Sequence, residues 1–198
     1  VLDLQVPHLR KTGKRLFSPL GHLRDCQVMA TLIEVTGHSK DSVGKAVLKE
    51  LNKRQKKIKS KVARALERFD DKLWKAWMHS LPERAKNIPP DSDAYKQLAR
   101  QRFAEAYHLH LKALRSRKRS NWHCLRIAVK RLRYTIENFL PRYHALWGRD
   151  LKSLQELLGE VHDFDVLWET IRAHPSGMKK AEITRWKKWI STERQKRL

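Results

Sequence analysis

Between Glu105 and Glu137 the sequence holds no acidic residue, while Lys112, Arg115, Arg117, Lys118, Arg119, Arg126, Lys130, Arg131 and Arg133 all fall inside that stretch. Clustered groups of one sign hold anions. On a helix turning about 100° per residue, His123, Arg126, Lys130, Arg133 and Glu137 lie within a stripe of roughly 80°. Leu125, Val129, Leu132 and Ile136 take the adjacent face, and Arg131 and Tyr134 sit just beyond the other edge of the stripe. Stacked cations cost an isolated helix a few tenths of a kcal/mol per close pair, and Glu137 can offset part of that by pairing with Arg133 at i, i+4. A solvated face is the plain alternative, but ordinary surfaces mix their signs and this one does not.

Two further clusters repeat the pattern. Arg54, Lys57, Lys61 and Arg64 recur at three- and four-residue spacing, with no acid between Glu50 and Glu67, and Arg10, Lys11, Lys14, Arg15 and Arg24 lie nearer the start. If the rows face one groove, a long anion can lie along it. His108, His110, His123 and Cys124 are the residues that could ligate a metal, but a zinc spacing with a second ligand pair is lacking, and no metal is expected. His123 reads either as a hydrogen-bond donor to phosphate, becoming a cation at lower pH, or as a structural histidine at a helix start. No phosphate-cradling glycine loop, no Ser/His/Asp order and no carboxylate cluster is present, so catalysis has no visible machinery. Trp186 and Trp189, spaced i, i+3 beside Ile190, read as core more readily than as stacking platforms.

The elements that position these residues read as helices throughout. The 198 residues suffice for one domain. Lys plus Arg number 44 against 21 Asp plus Glu, a net charge of +23, yet 40 % of the chain is hydrophobic, which excludes a disordered polycation. Cys26 and Cys124 form neither a Cys-x-x-Cys pair nor a disulfide framework, which points to a reducing, cytoplasmic setting. No apolar run approaches ~18 residues, and the first residues lack a secretion signal, so neither membrane nor export is expected. Apolar spacing predicts a longest helix over 42–69, then 73–81 after Asp70-Asp71. A break at 87–93 follows, with Asp93 as N-cap of a helix carrying Leu98 to Leu114, and Asn121 caps one through Leu140, stopped by Pro141. Shorter helices are expected near 150–158, 163–173 and 179–198.

Leu20-Gly21-His22-Leu23-Arg24-Asp25-Cys26-Gln27-Val28 recurs as Leu158-Gly159-Glu160-Val161-His162-Asp163-Phe164-Asp165-Val166, 138 positions on. Two similar helical halves follow, residues 1–90 and 91–198 of one domain. The two Leu-Gly pairs read as helix ends, with Asp25 and Asp163 capping the next helices. The counterpart of Trp122–Glu137 would fall before residue 1, and the last helix stops short of its counterpart, so the chain reads as part of something longer.

The pattern His123-x-x-Arg126-x-x-x-Lys130-Arg131-Leu132-Arg133-Tyr134-x-x-Glu137, followed by Leu154-Gln155-x-x-Leu158-Gly159-x-x-x-Asp163-x-x-Val166, resembles the second half of the CHAD domain family, an α-helical domain named for its histidines. Leu20-Gly21-x-x-Arg24-Asp25-x-x-Val28 is similar to the turn of the first half. The resemblance implies an all-α fold of two pseudo-symmetric four-helix bundles around a basic central groove that binds inorganic polyphosphate, with the first His/Arg-rich helix of the family not in this chain. It implies a non-enzymatic module targeted to polyphosphate granules, with no cofactor. The expected contacts are His123, Arg126, Lys130, Arg131, Arg133 and Tyr134 in the second half, and Arg54, Lys57, Lys61, Arg10, Lys14 and Arg24 in the first. Phosphate or sulfate ions would suit the same groove. The alternatives are a nucleic-acid binder using the same cations with exposed aromatics, and a phosphohydrolase, which would need a divalent metal and the carboxylates of Asp25 and Asp163.

Overall fold

The computed structural model describes residues 2–86, 88–116, 118–174 and 177–198, with side chains from residue 7 onward except those of residues 81, 84 and 85. Arg117 and the first residue of the break expected at 87–93 lie outside the described residues. The described residues form seven α-helices and one 3₁₀ turn, with no strand: α1 (Leu2–Val35), the 3₁₀ turn (His38–Lys40), α2 (Ser42–Glu67), α3 (Asp71–Ala85), α4 (Asp93–Ser116), α5 (Arg119–Phe139), α6 (Pro141–Ala173) and α7 (Lys180–Gln195). The all-α architecture is as the apolar periodicity requires. No helix among the described residues is long and apolar enough to cross a membrane.

The longest helices are α1 and α6, at 34 and 33 residues, not α2. Gly21 and Gly159 lie inside them, so the Leu-Gly pairs are not helix ends and neither Asp25 nor Asp163 caps a helix start. The helices expected at 150–158 and 163–173 are one helix for the same reason. Positive φ, the signature of a glycine helix stop, occurs at Gly37 (74°) and Gly177 (79°) and not at these two. A mid-helix glycine costs roughly 0.5–1 kcal/mol against alanine. The buried rows on either side offset it: Leu16, Cys26, Met29 and Ile33 in α1, and Leu158, Val161, Phe164 and Leu167 in α6.

Two expected caps move as well. Lys118, in extended backbone, precedes α5, which starts at Arg119, and Asn121 instead ties that start to α4 by donating from Nδ2 to Ser116 Oγ and to the Lys112 carbonyl at 3.4 Å. Ser92 supplies the carbonyl that accepts the Lys96 N–H at 3.0 Å, so Asp93 is the first helical residue rather than the cap. The Asp70 break is as read, its carboxylate accepting the Leu73 N–H at 2.8 Å.

The chain divides into two compact units, one of Val1–Arg84 with Glu169–Lys187, the other of Ala85–Trp168 with Lys188–Leu198. In the first unit α1 packs along α2. Val43, Val47 and Leu51 are buried on α2, and Ile171 and Trp186 are buried elsewhere in the unit. Asp41 caps α2 by accepting the Gly44 N–H at 2.7 Å, and its second oxygen accepts the Trp186 indole N–H at 2.7 Å. Gly44 is required there, since a Cβ would come within 1.9 Å of the His38 carbonyl oxygen. In the second unit Trp122, Leu125, Ala128 and Val129 of α5 pack on Ala106 and Ala113 of α4 and on Leu158 and Val161 of α6. Leu132, Ile136 and Leu140 continue that core against Tyr95, Ala99, Tyr143 and Leu151.

Candidate functional site

Burial fixes how α5 is rotated. With Trp122, Leu125, Val129, Leu132 and Ile136 against the core, the stripe of His123, Arg126, Lys130 and Arg133 lies beside the buried face, partly or fully exposed. Arg126 has no carboxylate partner among the described residues, and its Nε is buried without a hydrogen bond. Arg133 Nη2 forms an ion pair with Glu137 Oε2 at 3.1 Å, yet its Nε too is buried and without a hydrogen bond. Lys130 lies 5.6 Å from the centre of the Tyr134 ring and the Arg133 guanidinium 5.0 Å from it, so the tyrosine braces both cations. A buried guanidinium nitrogen left unpaired costs free energy that an incoming anion can recover.

The remaining expected contacts fare differently. Arg131 turns to α4, where its Nη1 meets Glu105 Oε1 at 3.4 Å, and Glu105 also holds Arg102 at 3.2 Å. That position is neutralised from within. In the first unit Arg54 is bound to Glu50 at 3.0 Å and lies 3.3 and 3.4 Å from the two ring nitrogens of His174, while Lys57 and Lys61 are exposed further along α2. The hydrogen bond from Arg54 holds the Glu50 carboxyl below its usual range. Arg10, Lys14 and Arg24 are exposed on α1. The thiol of buried Cys26 is pushed up by desolvation, and Cys124 is exposed; the two are unpaired.

The pairings of Arg119, Asp165, Arg194 and His162 escape a reading by sequence. Arg119 falls at the head of the α5 stripe at helical spacing. Its Nε forms an ion pair with Asp165 at 3.0 Å, and Asp165, 7 % exposed, accepts a hydrogen bond from Arg194 Nε at 3.0 Å. Two guanidinium groups therefore share one buried carboxylate, and Arg194 keeps a buried Nη2 unsatisfied. His162 brings its ring to His123, with centroids 4.9 Å apart and the Nδ1 atoms 3.4 Å apart. No group of three or more His, Cys, Asp or Glu able to hold a metal exists among the described residues.

The second unit is thus a helical bundle presenting an unmatched cationic ridge beside its core. The CHAD domain family matches residues 1–172, and the chain belongs to that family. No curated protein and no solved structure matches the chain.

Proposed function

We propose that the chain is a module that binds inorganic polyphosphate without catalysing its turnover, and that it serves to place a larger assembly at polyphosphate granules. The observation that carries this reading is the α5 ridge, where Arg126 and Arg133 keep buried guanidinium nitrogens unsatisfied on either side of Lys130. Membership of the CHAD family supports the choice of polyphosphate. Guanidinium groups would take phosphate oxygens bidentately and Lys130 as a point charge, with His123 extending the row. Lys57, Lys61, Arg10, Lys14 and Arg24 are proposed as contacts of the first unit. Arg54, Arg119 and Arg131 would contribute less, each being already paired.

The test is a titration with long-chain polyphosphate of the chain and of a variant in which Arg126, Lys130 and Arg133 are all changed to Glu. Binding is expected to fall steeply with salt, as counterion release dictates, and to be lost in the folded variant. Unchanged affinity there rejects the ridge. Competition with RNA addresses the nucleic-acid reading, which the braced Tyr134 disfavours because Lys130 and Arg133 lie against the ring that a base would stack on. Displacement by RNA at equal phosphate concentration would reverse that choice.

A further inference from the structure

A second feature of the α4–α5–α6 unit has no part in anion binding by the ridge. On the apolar side of α5 a cavity of about 500 Å³ opens to solvent, floored by Leu132, Ile136 and Leu140, each no more than 4 % exposed. Its walls are the largely exposed Phe103 of α4 and Trp147 and Leu154 of α6. Side chains of that kind stay open to water at a cost, and a concave apolar site of this volume with a few polar groups at its mouth is the usual form of a small-molecule pocket.

The lining carries both signs, on different helices. Lys96 and Arg100 stand one turn apart on α4, and Asp150 stands on α6. Lys96 is taken by Asp93 at 3.0 Å, whereas Arg100 makes no ion pair among the described residues. A negatively charged head is therefore drawn to Arg100 and turned away from Asp150. A net charge of +23 concentrates anionic amphiphiles near the chain and repels cationic ones. We propose that the cavity binds a free long-chain carboxylic acid, its acyl chain on Leu132, Ile136 and Leu140 and its carboxylate against the Arg100 guanidinium.

The experiment is calorimetric titration of the full chain with dodecanoate below its micellar concentration, in the presence of excess long-chain polyphosphate to occupy the ridge, and in parallel with dodecanol. Saturable binding of one dodecanoate is expected. Ala99→Trp, which fills the cavity from α4, should abolish it with helicity unchanged. Leu154→Glu, at an exposed wall position, serves the same purpose should the first variant not fold. Arg100→Glu should weaken dodecanoate by about tenfold and leave dodecanol nearly unaffected. The proposal is overturned if folded Ala99→Trp, or Leu154→Glu in its place, binds as before, if polyphosphate abolishes the binding, or if acid and alcohol respond alike to Arg100→Glu. A dimer in sedimentation equilibrium that Ala99→Trp dissociates and dodecanoate does not would overturn it too, by assigning the cavity to a second copy. Polyphosphate binding measured in Ala99→Trp keeps the two readings separable, since either can fail alone.

Discussion

Asp165 shows how one buried carboxylate can organise the head of the cationic ridge. It pairs with Arg119 on α5 and accepts a hydrogen bond from Arg194 on α7, and all three side chains are at least partly removed from water. Replacing it with Asn keeps the shape and removes the charge, leaving two guanidinium groups facing each other. Because breaking a buried ion pair strands the remaining charge, Asp165→Asn is expected to destabilise the fold by about 3 kcal/mol, read as a lower midpoint in urea denaturation. Adding Arg194→Met should recover part of the loss, since the stranded charge is then removed as well. The ridge itself was legible in the sequence, because Arg126, Lys130 and Arg133 obey a simple helical spacing. Asp165 was not, because nothing local to residue 165 says which distant arginines will reach it. The pairing of His123 with His162 is hidden in the same way, by 39 positions of chain.

At the scale of the element, the helices themselves were easier to read than their ends. Apolar periodicity marks the helices from residue 42 onward but gives no range for the stretch that forms α1 or for residues 141–149, and the reading cuts wrongly at Gly21 and Gly159, because a Leu-Gly pair ahead of an aspartate carries the composition of a helix stop. What decided otherwise was burial on both sides of the glycine, a tertiary quantity. This makes a prediction with a definite sign. A Cβ at either glycine meets no atom within 4 Å, and neither backbone is left-handed. Gly21→Ala and Gly159→Ala should each stabilise by roughly 0.5–1 kcal/mol in chemical denaturation, whereas true helix stops would be destabilised by the same change. A second prediction concerns the start of α7, where Glu182 accepts the Ser42 N–H at 2.8 Å and also its hydroxyl. The Ser42 hydroxyl bond holds the Glu182 carboxyl below its usual range. The folded state then takes up this proton less readily than the unfolded chain. The contribution is therefore complete above the unfolded carboxyl pKa and is lost as pH falls through the lower folded one. Denaturation midpoints measured from pH 7 down to 3 should show a smaller acid decline in Glu182→Gln than in the parent.

For the whole molecule, the governing quantity is a charge of +23 carried by 198 residues. Self-repulsion of that size opposes the compact state, and it is felt most at low ionic strength, where screening reaches only beyond about 30 Å at 0.01 M salt. Inert salt and a bound polyanion should both relieve it, but in ways that a melting experiment separates. Inert salt screens every cation alike, so the melting temperature should rise smoothly with sodium chloride and equally in the variant with Arg126, Lys130 and Arg133 changed to Glu, apart from that variant's lower charge. A specific ligand stabilises the native state by about 2.7 kcal/mol at a hundred times its dissociation constant, with a dependence set by its own concentration. Long-chain polyphosphate is therefore expected to raise the melting temperature at phosphate concentrations far too low to screen, and the triple variant should lose that rise while keeping its response to sodium chloride. Equal responses of parent and variant to polyphosphate would mean that the anion is held by net charge alone, and that the arrangement of Arg126, Lys130 and Arg133 along α5 adds nothing to it.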